Sequence, residues 1–247
     1  MRAIAINVGA NTNEPGFRGP VYPDGRFEYV PIPESEPADG APTYGDLAPH
    51  LDVSIPADLR EIPVHLDPEF PEYPCCERYT YGDEHGVKAG PLSELSAGDY
   101  ALFYATLSVA GGDEDDTPRG ASWLPPEWGA FLVGQFRLAR DPVTGEEYGR
   151  LSATEREPFA NNAHVRRDPV DARVLLLGDP DGSRLYERAV PLSRPGGGVE
   201  AGELVTRLSA DSGRGPWWRR PLRFEGDAAR RLLAVANATR SGLSDGS

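Results

Sequence analysis

Cysteine and histidine are scarce in this chain of 247 residues. The two cysteines, Cys75 and Cys76, are adjacent, which excludes the spacing of a zinc knuckle or of a Cys-x-x-Cys redox pair. The histidines form neither a His-x-His nor a His-x-x-x-His motif, although folding can still bring distant histidines together. The sequence therefore predicts no metal site, and it identifies no cofactor. The histidines are His50, His65, His85 and His164.

Long apolar runs are also absent from the chain. No stretch of about 18 apolar residues occurs, which argues against a membrane-spanning helix. The N-terminus enters a strand-like pattern at once, rather than a charged segment followed by an apolar stretch and a cleavage site. The hydrophobic fraction of 39% is enough for a real core. We therefore expect a soluble, cytoplasmic protein with no membrane partner.

Lysine is nearly missing, because Lys88 is the single lysine and all other basic side chains are arginines. The formal net charge of -14 would ordinarily argue against a polyanionic partner. However, the abundance of acidic residues resembles that of proteins from salt-loving, GC-rich prokaryotes, whose surfaces are acidic whatever they bind. Net charge therefore does not exclude a nucleotide or DNA as the ligand.

Apolar and aromatic runs predict an α+β fold with a mixed sheet or half-barrel and peripheral helices. The sequence favours one domain over residues 1–240, with a disordered tail at 241–247. The helix at 227–239 is predicted to have Asp227 as its N-cap and an apolar stripe through Ala228, Leu232, Val235 and Ala236. The predicted strands and the other helix are residues 3–8, a hairpin at 21–30 with its turn at Asp24-Gly25, paired strands at 99–109 and 130–138, a strand at 172–179 and a weaker helix at 200–208.

A first group of candidate ligand-binding residues lies in and after the N-terminal strand, where the chain enters a loop rich in amides and glycine. Asn7 and Asn11 are candidate orienting amides, and Arg18 between Gly16 and Gly19 is a candidate phosphate binder. The alternative is that these glycines and Asn11 only satisfy turn geometry. Two further candidates lie on the hairpin, Tyr22 as a ligand-binding residue and Glu28 as either a catalytic base or a solvent-facing side chain.

A second group of candidates is the segment 161–167, which concentrates amides, an imidazole and two guanidinium groups. His164 is the candidate acid or base, because histidine titrates near neutral pH. Arginine suits phosphates and base edges, and asparagine can bind a base edge. The alternative is a solvated turn with asparagine caps and surface ion pairs. The candidate ligand-binding residues here are Asn161, Asn162, Arg166 and Arg167.

The segment 214–221 interleaves Trp217 and Trp218 with three arginines. This composition suits stacking on nucleobases and binding of their phosphates. The alternative is that the two indoles anchor a loop on the core while the arginines neutralise an acidic surface.

Several segments in order resemble one family, the third class of nucleotide modification associated domains, which are prokaryotic proteins connected with DNA base hypermodification. This resemblance implies a nucleotide or DNA as ligand and proteins of modification and restriction systems as partners, but it supplies no catalytic residues. The segments are Ile4–Thr12, Phe17–Gly25, Phe27–Glu34, Pro42–Asp46, Ala97–Ala105 and Asn161–Arg167.

A second, shorter resemblance lies in the middle of the chain, where Gly98–Tyr104 and Leu132–Arg137 are similar to strands of PUA-like domains.

The two resemblances and the candidate residues lead to three hypotheses about function. The first is an enzyme that acts on a nucleotide or on a base flipped out of the duplex, with the N-terminal loop and segment 161–167 lining one pocket. The second is a PUA-like reader of modified bases without catalysis. The third is a structural subunit of a modification complex.

Overall fold

The structure is a computed structural model that describes residues 1–36, 40–110 and 122–241. The strands are β1 (Arg2–Asn7), β2 (Pro20–Val21), β3 (Ile32–Pro33), β4 (Val64–His65), β5 (Thr80–Asp83), β6 (Tyr100–Val109), β7 (Trp128–Arg137), β8 (Val143–Thr144), β9 (Val174–Leu177), β10 (Arg184–Pro191), β11 (Ser193–Arg194), β12 (Gly197–Ala201) and β13 (Leu222–Glu225). The α-helices are α1 (Tyr44–Leu47), α2 (Gly86–Ser93), α3 (Gly145–Tyr148), α4 (Ala153–Arg156) and α5 (Gly226–Ser241). Short 3₁₀ turns at 48–50, 57–59, 157–159 and 217–219 and a π-helical turn at 204–208 complete the elements.

The chain forms two compact units. Unit 1 consists of Met1–Val30, Leu102–Gly134 and Tyr186–Ser247, and unit 2 consists of Pro31–Ala101 and Gln135–Leu185. The single domain over residues 1–240 stays a prediction. Of the predicted tail, residues 242–247 lie outside the described residues.

Unit 1 contains most of a six-stranded mixed sheet with the order β10-β7-β6-β1-β13, in which β2 pairs with β6 in parallel. The predicted N-terminal strand is confirmed as β1, which pairs antiparallel with β13 from Arg2 opposite Glu225 to Ala5 opposite Leu222. Residues 3–6 are buried without alternation, as expected for a strand covered on both faces. The predicted pairing of the two central strands is confirmed by the adjacency of β6 and β7.

The C-terminal helix of unit 1 is confirmed, but its predicted buried stripe was wrong by a partial turn. The buried positions are Ala229, Leu232, Leu233 and Ala236, whereas Val235 is 41% exposed. Since α5 begins at Gly226, Asp227 lies in its first turn rather than before it. This orientation lets two adjacent leucines enter the core, and an apolar side chain on the outer face is tolerated.

The predicted helix at 200–208 was also only partly right. Residues 197–201 form strand β12, which pairs with β11 around a glycine-rich turn, and a single π-helical turn follows at 204–208. Glycine is a poor helix former because of its backbone entropy, and strand pairing supplies the backbone hydrogen bonds that an isolated helical turn would lack.

Unit 2 contains two smaller antiparallel sheets. The three-stranded sheet has the order β5-β9-β8, with Gly82 opposite Leu175, and its central strand β9 confirms the predicted strand at 172–179. The second sheet pairs β3 with β4, so that Ile32 lies opposite His65. Leu175 and Val143 pack in a buried cluster with Tyr148 and Phe159 from the helical turns that follow β8.

The fold class is therefore α+β, as predicted. The described strands form open sheets, and none of these sheets closes into a barrel. The likeness of the middle segment to PUA-like domains stays a prediction. Within the part of the chain that the structure describes, no helix combines the length and the apolar character that crossing a membrane requires.

Candidate functional site

Two histidines and one aspartate of unit 2 converge below the surface, and we call these three residues the His–Asp–His centre. His65 is the last residue of β4, Asp67 follows two residues later, and His164 lies in the loop after the helical turns at 153–159. Asp67 Oδ2 lies 3.9 Å from His65 Nε2 and 3.6 Å from His164 Nε2. The residues are only 8%, 6% and 4% exposed, respectively. One ligand atom from each residue lies within 4.8 Å of the others.

The outward-facing nitrogen of each imidazole is fixed by a hydrogen bond. His65 Nδ1 donates to Glu34 Oε2 at 2.7 Å, and His164 Nδ1 donates to the carbonyl oxygen of Asp171 at 2.7 Å. Because a carbonyl oxygen and an ionised carboxylate can only accept, each Nδ1 carries the proton. In the neutral rings both Nε2 atoms therefore present a lone pair toward Asp67.

Asp67 is held by donors from the strand and loop beside it. Its two carboxylate oxygens accept from the Gly82 backbone N–H at 3.0 Å each, and Oδ1 also accepts from Asn162 Nδ2 at 2.9 Å. Burial raises the pKa of Asp67 well above its ordinary value, and the hydrogen bond from Gly82 opposes this shift. The carboxyl group is thus rigidly oriented in an environment that disfavours an uncompensated negative charge.

The environment of His164 keeps its imidazole neutral. Burial, together with the neighbouring imidazole of His65 and the Arg167 guanidinium, lowers the pKa of His164 to about 3. At neutral pH the ring is therefore in the form that coordinates metal ions or accepts a proton, rather than in the form that donates one.

A glycine on β5 makes room for this arrangement. A Cβ atom at Gly82 would lie 2.7 Å from Cδ2 of His164 and 3.0 Å from Oδ1 of Asn162. Asn162 is completely buried and also accepts from the His164 backbone N–H at 3.1 Å. The missing side chain thus lets the imidazole and the amide pack directly on the strand backbone.

Arg167 joins the carboxylates around the centre. Its guanidinium binds Glu34, Glu84 and Asp171, and it is only 6% exposed. Although burial opposes it, hydrogen bonds and charges from His65 and Arg167 lower the pKa of Glu34 to about 2. Glu34 is therefore ionised, which fixes the proton on His65 Nδ1. The Arg167 Nε atom is buried and has no hydrogen-bond partner among the described residues.

A chain of polar side chains connects the centre with Glu69. Asn162 donates to Thr80 Oγ1 at 3.1 Å, and the Thr80 hydroxyl donates to Glu69 Oε2 at 2.8 Å. Asn161 donates to Glu69 Oε1 at 2.6 Å. Glu69 is completely buried, and the Glu77 and Arg78 backbone N–H groups also satisfy it. The two adjacent asparagines thus reach different carboxylates and hold the loop against β5.

A small pocket lies beside the centre, and it includes residues from the predicted 161–167 patch. Val64 and Leu66 alternate with His65 and Asp67 and contribute to it, as does Glu34. Arg166 brings a guanidinium group to its wall, so this is the place where an anionic ligand would meet a positive charge near the centre. The lining residues are Glu34, Ala41, Pro42, Val64, Leu66, Asn161, Ala163 and Arg166.

The predicted residues of the N-terminal group belong to unit 1. Asn7 is the last residue of β1, and the Asn11 side chain accepts from the Asn13 backbone N–H at 2.8 Å, as its turn interpretation predicts. The Tyr22 hydroxyl donates to Glu28 Oε1 at 2.6 Å. Because the second predicted group, residues 161–167, belongs to unit 2, a shared pocket stays a prediction.

Arg18 and the tryptophans form a separate arrangement in unit 1. The Arg18 guanidinium carbon lies 4.4 Å from the ring centroid of Trp128, and Trp218 packs edge-on against Trp128 with centroids 5.5 Å apart. Trp217 is completely buried and donates from Nε1 to the Val199 carbonyl oxygen at 2.9 Å. Trp217 therefore anchors its loop, whereas Arg18, Trp128 and Trp218 are partly exposed.

Sequence reasoning identified His164 and its neighbours but missed the residues that complete the centre. His65 and Asp67 carried one usable signal, because side chains two positions apart in an extended segment point to the same side. Gly82 and Glu34 carried no local signal, since their roles depend on which segments pack against them. The missed residues are Glu34, His65, Asp67, Glu69, Thr80, Gly82, Glu84 and Asp171.

Comparison with known proteins gives one match. The model of a protein family described as nucleotide modification associated domain 3 matches residues 2–234. No curated protein and no solved structure matches the chain. The match covers both units and every residue of the centre.

Proposed function

The chain belongs to the nucleotide modification associated domain 3 family, and on that premise we propose that it is an enzyme of nucleotide or DNA base modification with the His–Asp–His centre as its active site. The family description connects the chain with nucleotide modification. The centre contributes two imidazoles and a carboxyl group, which are groups that an enzyme of this kind could use in catalysis. A protein that only recognises a base has no need for a buried carboxyl group between two imidazoles.

The observation that carries this proposal is the organisation of the centre. Three groups able to bind or transfer protons converge in a buried place, and each is oriented by its own hydrogen bonds. Preorganised polar groups in a site that excludes water are typical of enzymes, because they stabilise charge without reorganisation. A purely structural network would instead bond these groups to one another, and here the separations of 3.6 and 3.9 Å exceed a hydrogen bond.

We assign the substrate's anionic part to the pocket beside the centre. Arg166 in its wall suits a phosphate group. The two asparagines of segment 161–167 hold the loop through Glu69 and Asp67 and are not assigned to the substrate. Arg167 has a different role, since three carboxylates already bind its guanidinium. It positions Glu34 and, through Glu34, the ring of His65.

The experiment is to produce the full chain in a bacterial host and to analyse its DNA and nucleotide pool by mass spectrometry after digestion to nucleosides. We expect a nucleoside that is missing from the host without the protein. Asp67→Asn keeps the shape of the side chain and should lower the amount of this product at least about 100-fold. The matched control is His50→Gln, which removes an exposed histidine and should leave the product unchanged.

Two results would contradict the proposal. One is a product that persists at the wild-type level in Asp67→Asn and His164→Gln. The other is a complete lack of new nucleosides in cells that also produce partner proteins of a modification system.

A second candidate function, recognition of a nucleobase without reaction, is supported by unit 1. Arg18, Trp128 and Trp218 form a partly exposed cation–aromatic arrangement, which is typical of surfaces that stack bases and bind their phosphates. Arg18 Nε is buried and has no hydrogen-bond partner within the described residues. Selective binding of modified duplex DNA that is lost in Arg18→Met but kept in Asp67→Asn would favour this function.

A further inference from the structure

We infer that the His–Asp–His centre binds a divalent transition-metal ion through His65 Nε2, Asp67 Oδ2 and His164 Nε2. This inference rests on the proposed function only for the ion's role, and it names the cofactor of the same site. It departs from the expectation drawn from the histidine spacing, because folding brings together two histidines that no motif connects.

The first argument is that both imidazoles turn a ring nitrogen without a proton toward the buried carboxyl group of Asp67. Both Nδ1 atoms carry protons that they donate outward, so the Nε2 atoms face Asp67 with lone pairs. The distances from Asp67 Oδ2 to the Nε2 atoms of His65 and His164, 3.9 and 3.6 Å, are longer than a hydrogen bond. Acceptors that converge in a buried place leave their lone pairs unsatisfied unless a cation or a proton lies between them.

The second argument is the pattern of outer hydrogen bonds. Histidines that bind metals nearly always donate their other ring N–H to a carboxylate or to a backbone carbonyl oxygen. Here one ring uses Glu34 and the other uses the carbonyl of Asp171. The carboxylate ligand is also supported, since Gly82 and Asn162 donate to it. All three candidate ligands are therefore oriented as metal ligands are.

The third argument is distance. Two donors that each lie about 2.1 Å from one ion are separated by roughly 3 to 4.2 Å, depending on the angle between them. The separations from Asp67 Oδ2 to Nε2 of His164 and of His65 are 3.6 and 3.9 Å, which fall within this range. The imidazole rings are nearly perpendicular, at 85°, which lets both Nε2 atoms approach one point without ring overlap.

The donor set indicates the class of metal. Two imidazoles and one carboxylate suit zinc, iron, manganese or cobalt, whereas magnesium and calcium prefer oxygen ligands. Three protein ligands leave further coordination positions for water or substrate, which is the arrangement of catalytic rather than structural sites. A bound ion of this kind would act as a Lewis acid, and iron would also provide a redox centre.

The test is metal binding by the full-length protein, measured without turnover. The protein is stripped with a chelator, and Zn²⁺, Mn²⁺ and, without oxygen, Fe²⁺ are each titrated by calorimetry at pH 7. We expect one ion per chain, and an increase in melting temperature on loading. Titration with Co²⁺ should give visible absorption bands of a site with nitrogen and oxygen ligands and fewer than six ligands.

Three variants and one control connect the ion with the centre. Asp67→Asn and His65→Gln should each weaken binding at least about 100-fold. Glu34→Gln changes the hydrogen-bond partner of His65 and should weaken binding by about 10- to 100-fold. His50→Gln should bind as the wild type does. Circular dichroism shows which variants are folded, and the wild-type titration decides the question even if a variant unfolds.

The inference is overturned if the folded wild-type chain binds none of these ions stoichiometrically, or if Asp67→Asn and His65→Gln bind them as the wild type does. Its failure is distinguishable from that of the proposed function. Product formation in cells by a chain that binds no metal would overturn only the metal site. Tight binding at the centre without any nucleoside product would overturn only the enzyme.

Discussion

Two arginines, one in each unit, show how differently the same side chain is used in this molecule. Arg167 in unit 2 is nearly buried and is bound by three carboxylates, and it has become part of the framework that orients His65. Arg18 in unit 1 lies over the face of Trp128, with its guanidinium carbon 4.4 Å from the ring centroid. A guanidinium whose charge is neutralised by carboxylates is structural, whereas one held by an aromatic face keeps its charge for a ligand.

The largest effect is expected from removing the buried positive charge of Arg167 in unit 2. Arg167→Met keeps an unbranched apolar stem but leaves Glu34 buried without its guanidinium partner. We expect a loss of about 3–5 kcal/mol in the free energy of unfolding, since breaking a buried pair leaves an uncompensated charge. Urea unfolding measures this change. A loss below about 1 kcal/mol would mean that the ion pairs of Arg167 contribute little.

Lowering the pH should weaken the same network, because it protonates Glu34. Its pKa in the folded protein is about 2, below the ordinary value of 4.5. Its stabilising contribution is therefore present above pH 4.5 and is lost as the pH falls toward 2. In chelator-treated protein, the stability advantage of wild type over Glu34→Gln should shrink across this range by about 2–3 kcal/mol. An advantage that is independent of pH would contradict the assignment of an ionised Glu34.

A smaller loss is expected from filling the space at β5. Gly82→Ala places a methyl group 2.7 Å from the His164 ring, so the ring or the strand must shift. We expect a destabilisation of about 1–3 kcal/mol, as for other overpacked sites. The matched control is Gly90→Ala in α2, where a Cβ meets nothing within 4 Å and should stabilise the helix by about 0.5–1 kcal/mol. Equal effects of the two substitutions would contradict the tight packing at Gly82.

The smallest effect on stability is expected for Arg18, the partly exposed arginine of unit 1. Arg18→Met removes a cation–aromatic contact at a partly exposed site, which should cost only about 0.5–1 kcal/mol. Tryptophan fluorescence should change at the same time, because Arg18 lies over Trp128. A destabilisation as large as that of Arg167→Met would show that Arg18 is structural as well, and the contrast between the two units would fail.

Local pattern predicted several elements well. The continuous apolar run of β1, the aromatic strands β6 and β7, and α5 all follow from periodicity and turn residues that lie within each segment. The rotation of α5 was predicted less well, since the choice between Ala228 and Ala229 as the core position depends on the surface that receives the helix. The segment 161–167 was recognised because its polar composition has no hydrophobic explanation. In the structure Asn162 and His164 are buried, which the alternative of a solvated turn does not describe.

The sequence by itself determined the α+β class, the main strands, the C-terminal helix and the resemblance to its family, because these depend on residue types and spacings that act locally along the chain. Only the tertiary structure decided that His164 meets His65 and Asp67 beside Gly82, and that Arg167 binds carboxylates while Arg18 binds an indole. Burial, hydrogen-bond partners and shifted pKa values depend on segments far apart in sequence, and the physical chemistry of a side chain is set by the neighbours that folding gives it.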